Sequence, residues 1–249
     1  MKGHLPLGNG YETMIFVAWC LSLLALGIGR RFPISAASGL LMSGFALLVA
    51  SLGMANPQIT PLVPVLRSPW LSLHVSLIMV SYALLGLLML NGTAALALAA
   101  AARAGTAERT SRTLARLRLF GRLLLYPAVF LLTAGIFTGA VWANASWGRY
   151  WGWDPKEVWA LITLIVYALP LHEQSLARFR RPLFFHAYTL WAFAAVLMTY
   201  FGVNYLLGGM HSYGGGFRPG YAAATVFAAV TAFALLTVAA LIRQRRTDA

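Results

Sequence analysis

Residues 123–172 read LLLYPAVFLLTAGIFTGAVWANASWGRYWGWDPKEVWALITLIVYALPLH, and this stretch decides the fold. From Leu123 to Gly148 it carries no charged side chain; Arg149, Asp154, Lys156 and Glu157 then fall close together, and Val158 to Leu171 is again uncharged. In hydrocarbon every backbone N–H and C=O must be satisfied internally, so a chain crosses as a helix of about 20 apolar residues, enough to span ~30 Å. Two spans, Leu123 to Ala143 and Pro155 to Leu171, joined by a short external turn, follow from the pattern. Reading outward, the same criterion finds spans at Tyr11 to Gly29, Pro33 to Leu52, Leu71 to Ala101, Leu183 to Leu206 and Tyr221 to Ile242. The expectation is an all-α polytopic membrane bundle of about seven transmembrane helices, forming a single integral membrane domain over residues 1–249.

Composition agrees. Hydrophobic residues make up 60% of the 249 residues and charged residues 10%, with a mean hydropathy of +0.73, against about 25% charged in an ordinary globular chain. The net charge of +13 does not indicate nucleic acid, because the basic residues sit in short clusters between apolar runs rather than along a polar face. Of the 19 Lys and Arg residues, 14 fall on one side of the seven-span arrangement, and the remaining five (Lys2, Arg67, Arg149, Lys156 and Arg218) fall on the other. The positive-inside rule therefore places the N-terminus outside and the C-terminus in the cytoplasm. The first span lacks a basic forward flank and a small-residue cleavage site, so it reads as retained. The alanine-rich run Ala94 to Arg103 prolongs the third helix towards a basic cytoplasmic loop over 103–122, read as a solvated or lipid-headgroup face. Cys20, the single cysteine, excludes an internal disulfide, a CxxC pair and a cysteine-rich metal site.

Chemistry concentrates in the external turn. Between Val141 and Leu161 lie Trp142, Trp147, Trp151, Trp153 and Trp159, five of the eight tryptophans. Interfacial belts account for part of this enrichment. Asp154, Pro155 and Glu157 also have a structural role open to them, as N-cap, first helical position and N3 of a capping box. Belt tryptophans, however, flank many helix ends, whereas these crowd one turn that also holds Gly148 and Gly152. A flat aromatic ligand explains that better. Of the five histidines, His74 and His211 fall on the outer side with this turn. Two neutral imidazoles can fill both axial positions of haem iron, with tryptophan rings packing the macrocycle and Arg149, Lys156 or Arg218 neutralising propionates. His172 ends the fifth span, roughly 25 Å away, too far to serve the same iron. It either interacts with a helix C-terminus or begins a second, inner site with His186 or a histidine of another protein. His4 is terminal and receives no role.

These residues resemble the CcsA/ResC cytochrome c biogenesis family, membrane components of the System II pathway. The resemblance rests on WGRYWGWDPKEVWALITLIVYALPLH (147–172), similar to the family's WWD signature running into a helix that ends in histidine, and on GVNYLLGGMHSYG (202–214). It implies that an external WWD loop over 143–155, with Trp147, Arg149, Trp151, Trp153 and Asp154, presents haem. It further implies that His74 and His211 are external axial ligands, and that His172 contacts haem on its way outward. The implied cargo is haem b, delivered to CxxCH motifs of apocytochrome c as a subunit of a synthase complex. The CcsB/ResB half found fused in some relatives has no counterpart here, so a separate CcsB/ResB-like membrane protein is the expected partner. His186 has no place in the family pattern. A CcmC-type protein passing haem to a chaperone, a cytochrome b-like electron-transfer subunit and a haem-independent transporter are the competing readings. The expected location is a bacterial inner membrane, with a thylakoid membrane as the alternative.

Overall fold

Proline opens four of the long helices, at Pro33, Pro69, Pro155 and Pro182, where its missing N–H would have found no intrahelical partner in any case. In a computed structural model, which describes residues 10–51, 68–207 and 220–248, the chain forms α1 (Gly10–Ile28), α2 (Pro33–Ser51), α3 (Pro69–Ala101) and α4 (Ala107–Trp147). Then come α5 (Pro155–Ala168), α6 (Pro182–Leu197), α7 (Val203–Leu206) and α8 (Gly220–Asp248). The 3-10 turns Leu169–His172 and Ala177–Arg180 lie between α5 and α6, and a π-helical turn, Met198–Gly202, links α6 to α7. No strand occurs among the described residues.

Among the described residues six segments are long and apolar enough to cross a membrane: α1, α2, α3, α4, Pro182–Gly202 and, within α8, Phe227–Gln244. The remaining expected span is α5, only 14 residues long, continued by the four-residue turn that ends at His172. At about 1.5 Å per α-helical and 2.0 Å per 3-10 residue the two together rise about 29 Å, close to the ~30 Å of hydrocarbon.

The centre of the bundle is the α3–α4 pair, the most extensive helix contact. Glycines on α4 permit it. A Cβ would fall 3.2 Å from Leu88 Cδ1 of α3 at Gly121, 2.6 Å from Ile78 Cδ1 at Gly135 and 2.6 Å from His74 Nδ1 at Gly139. Gly135 and Gly139 form a GxxxG pair, the spacing that puts two small residues on one helix face. Several buried polar groups inside the bundle are paired in turn. Asn91, fully buried, donates to Leu117 O at 3.0 Å and accepts from Ser35 at 3.3 Å; Ser81 donates to Ala128 O at 2.8 Å. Thr163 and Thr199 share a 2.9 Å hydroxyl bond where the π-helical turn meets α5.

One expectation changes. The stretch 103–122 is not a loop for most of its length, because α4 begins at Ala107. Its residues are largely strong helix formers, alanine, arginine, leucine and glutamate, and α4 consequently runs 41 residues, about 61 Å. At its inner side Glu173 receives Arg118 and, at 2.8 Å, Arg122, while Arg118 Nε also donates to Phe179 O at 3.1 Å. These bonds fasten the 172–181 connection to α4.

Candidate functional site

The tryptophan turn is a helix stop followed by a helix start. α4 ends at Trp147, and Gly148 takes the left-handed conformation (φ 73°, ψ 14°), its N–H closing on Asn144 O at 2.9 Å. Six residues later Asp154 caps α5, accepting from the Lys156 N–H at 3.0 Å, and Glu157 Oε2 reaches back to the N–H of Asp154 at 3.1 Å and of Gly152 at 2.8 Å. The capping box read from the sequence is present, with one amide more than the motif requires. It leaves Asp154 buried, at 6% exposure, with its carboxylate engaged in holding the turn.

The indoles form two pairs, one within the last turns of α4 and one in the turn itself. Trp142, 2% exposed, meets Trp147 edge-on at 4.7 Å between ring centroids; Trp151 meets Trp153 at 6.0 Å and 89°. Trp153 is 73% exposed and has φ 57°, a left-handed conformation that costs an L-residue other than glycine about 1–2 kcal/mol. The turn thus holds a bulky ring outward in a conformation its backbone disfavours. Arg149 lies across Gly152, where a Cβ would come within 3.0 Å of the guanidinium carbon, so this glycine makes room for the arginine.

His74, in the first turns of α3, packs against α4. Its Nδ1 lies 2.6 Å from Gly135 O, and its ring rests on Gly139. A carbonyl can only accept, so Nδ1 is the donor, the arrangement used when an imidazole ligates through Nε2 with a carbonyl behind it. Gly135, Gly139 and Trp142 follow each other at helical spacing on one face of α4. His74, from α3, therefore rests on the face of α4 that carries Trp142.

The remaining site residues separate. His172, exposed, sits at the opposite end of the α5 segment from Asp154, and its carbonyl accepts from Leu176 N at 2.8 Å. His211 and Arg218 lie outside the described residues, as do His4, Lys2 and Arg67. Lys156, expected as one of three candidates to meet a propionate, donates from Nζ to Asn204 Oδ1 at 2.8 Å, tying the base of the turn to α7. Asn204 falls within the GVNYLLGGMHSYG stretch (202–214), where only His211 stood out as a site residue. Gly139 had a signal in the GxxxG spacing. His186 is fully buried on α6, and neither ring nitrogen makes a hydrogen bond among the described residues.

Fold and site together define a polytopic helical membrane protein that presents a rigidly capped, tryptophan-rich turn. A family model described as cytochrome C assembly protein matches residues 7–211, and the chain belongs to that family. It is 41% identical over 216 residues to Protein NrfI of Wolinella succinogenes, covering 87% of this chain and 24% of that protein. It is 37% identical over 224 residues to cytochrome c biogenesis protein CcsA of Chlamydomonas reinhardtii, covering 86% and 62% respectively. To the CcsA of Synechococcus sp. strain WH7803 it is 37% identical over 252 residues, 86% of this chain and 78% of that one. The chain thus spans about a quarter of NrfI and less than two-thirds of the Chlamydomonas protein.

Proposed function

We propose that this protein handles haem in cytochrome c biogenesis, presenting it at the outer membrane face for attachment to CxxCH motifs of apocytochrome c together with a CcsB/ResB-like partner. The observation that carries the reading is the placement of His74, its Nδ1 2.6 Å from Gly135 O, against the face of α4 that also bears Trp142. Membership of the cytochrome c assembly family supports it.

In this reading His74 and His211 are the two axial ligands of the external haem, and Trp147, Trp151 and Trp153 pack its faces. Arg149 offsets propionate charge, and Asp154 acts through the turn it caps. His172 contacts haem at the inner face before outward passage. Haem b is the substrate. Attachment adds each cysteine S–H across a vinyl C=C of the porphyrin, the sulfur bonding to one carbon and the hydrogen ending on the other, so no external oxidant is consumed. The nucleophile in that addition is the substrate's cysteine sulfur, so none is required of this chain. Its contribution is orientation, which at the favourable extreme is worth about 7–11 kcal/mol. The expected location is a bacterial cytoplasmic membrane.

The test is spectroscopic. Purified His74→Ala and His211→Ala proteins should each lose the six-coordinate low-spin haem spectrum and regain it on adding imidazole. Unchanged haem content and coordination in both would remove the axial pair, and with it the proposal.

A further inference from the structure

One side of α4 stays uncovered along the membrane. Leu119, Leu123, Tyr126, Phe130 and Phe137 are exposed, and their spacing of four, three, four and seven residues keeps them on a single helical stripe. The opposite face of α4, with Leu117, Phe120, Leu124, Leu125 and Ala128, is buried against the bundle. In a membrane protein the exposed stripe is the part that meets acyl chains.

The stripe does not stop at the edge of the apolar segment. Extended towards the inner end at the same spacing it passes through Arg116 and Arg112, with Arg109 one turn further, all three exposed. With Glu108 and Thr113 they line an open cleft of about 370 Å³. Glu108 pairs with Arg112, so three guanidinium groups and one carboxylate leave the cleft with a net charge of about +2. The two other arginines of this part of the helix, Arg118 and Arg122, are engaged with Glu173. At ~1.5 Å per residue Arg116 lies about 4.5 Å, Arg112 about 10 Å and Arg109 about 15 Å from Leu119 along the axis, so Arg116 is the deepest of the three and Arg109 meets the headgroup layer only from its aqueous edge. The polar headgroup layer occupies roughly 5–7 Å beyond the hydrocarbon, and arginine stems extend along the helix to bring their charges into it.

We propose that the Arg109–Arg112–Arg116 face of α4 is a binding site for the phosphate headgroup of anionic phospholipids in the inner leaflet. The occupant follows from continuity: its acyl chains lie on the inner half of the stripe, Leu119 to Phe130, while its phosphate meets the arginines directly beneath. A soluble acidic protein or a nucleic acid would match the charge but would have no reason to adjoin a lipid-facing apolar stripe.

The full chain, purified in neutral detergent, is examined by native mass spectrometry for retained lipid after addition of phosphatidylglycerol or phosphatidylcholine with identical acyl chains. Wild type should retain phosphatidylglycerol preferentially. Each arginine replaced by glutamine in the series R116Q, R112Q/R116Q, R109Q/R112Q/R116Q should weaken that retention about fivefold, since a basic residue near an anionic surface is worth ~1 kcal/mol. R30Q/R31Q/R178Q removes equal charge elsewhere on the inner side and should leave retention intact. Equal loss in that control, equal retention of the two lipids, or displacement by millimolar inorganic phosphate alone would overturn the proposal, the last by reassigning the cleft to free anions. Should the triple variant not fold, R116Q alone decides, by its fivefold shift or the lack of it.

Discussion

Gly139 and Trp153 act through their backbones, and each permits a sharp test. At Gly139 an added methyl would lie 2.6 Å from His74 Nδ1, well inside contact distance, and the ring is already hydrogen-bonded at 2.6 Å to the carbonyl one turn away. Gly139→Ala should therefore displace the imidazole without altering its chemistry. The expected outcome is a His74→Ala-like haem spectrum, restored by added imidazole, in a protein whose thermal unfolding changes little. At Trp153 the side chain is mostly in solvent, so truncation removes little burial and the left-handed φ dominates stability. Alanine retains the strain and glycine relieves it. Trp153→Gly should unfold later than Trp153→Ala by about 1 kcal/mol, while both lose whatever affinity the indole supplies. A Trp153→Ala protein as stable as the glycine variant would mean the turn relaxes freely. Neither effect is legible from residue type, since a positive φ at tryptophan and a 2.6 Å approach are properties of the assembled turn and hairpin.

At the scale of the element, the capping box separates two roles of Asp154 that the sequence alone leaves entangled. Asparagine caps helices about as well as aspartate, and alanine costs about 1 kcal/mol. Asp154→Asn should keep the melting temperature and Asp154→Ala should lower it. If Asp154→Asn also keeps haem, the residue works only by shaping the turn; loss of haem from the stable asparagine variant would show that its charge is needed. Lys156 and Asn204 offer a second element-scale test, because their 2.8 Å bond joins the start of α5 to α7, seven residues before His211 in the chain. Lys156→Met and Asn204→Leu should both loosen the second axial position, giving a mixture of spin states that imidazole converts to low spin. Haem loss in Lys156→Met alone would instead mark the lysine as a propionate partner. The box was readable because caps are local, set by four neighbouring residues. The lysine–asparagine bond bridges 48 positions and depends on how α5 and α7 pack. The same distinction explains the start of α4: apolar content marked where the membrane segment begins, but helix propensity, which ignores the bilayer edge, carried the helix on through the arginines to Ala107.

For the molecule as a whole, hydropathy located the spans because the bilayer imposes one length on each of them, and α5 with its 3-10 extension still meets that length by a tighter ending. What hydropathy cannot convey is which faces meet. That was decided by small residues, of which Gly135 and Gly139 on α4 and the buried Ser35, Gly39 and Ser43 on α2 fall at four-residue spacing. Orientation across the membrane is a separate inference from charge asymmetry, and the chain is well suited to testing it. Cys20, the only cysteine, is buried in α1, so the native protein should react little with a membrane-impermeant maleimide. Tyr150 in the tryptophan turn and Arg178 in the turn before α6 are both exposed, at opposite ends of the α5 segment. Tyr150→Cys should label in intact cells or spheroplasts, and Arg178→Cys only after the membrane is opened. Reversed labelling would put the arginine-rich side outside, moving the tryptophan turn to the cytoplasmic face. Apocytochrome thiols could then no longer reach haem there from the outer side, and the direction of transfer would have to be inverted.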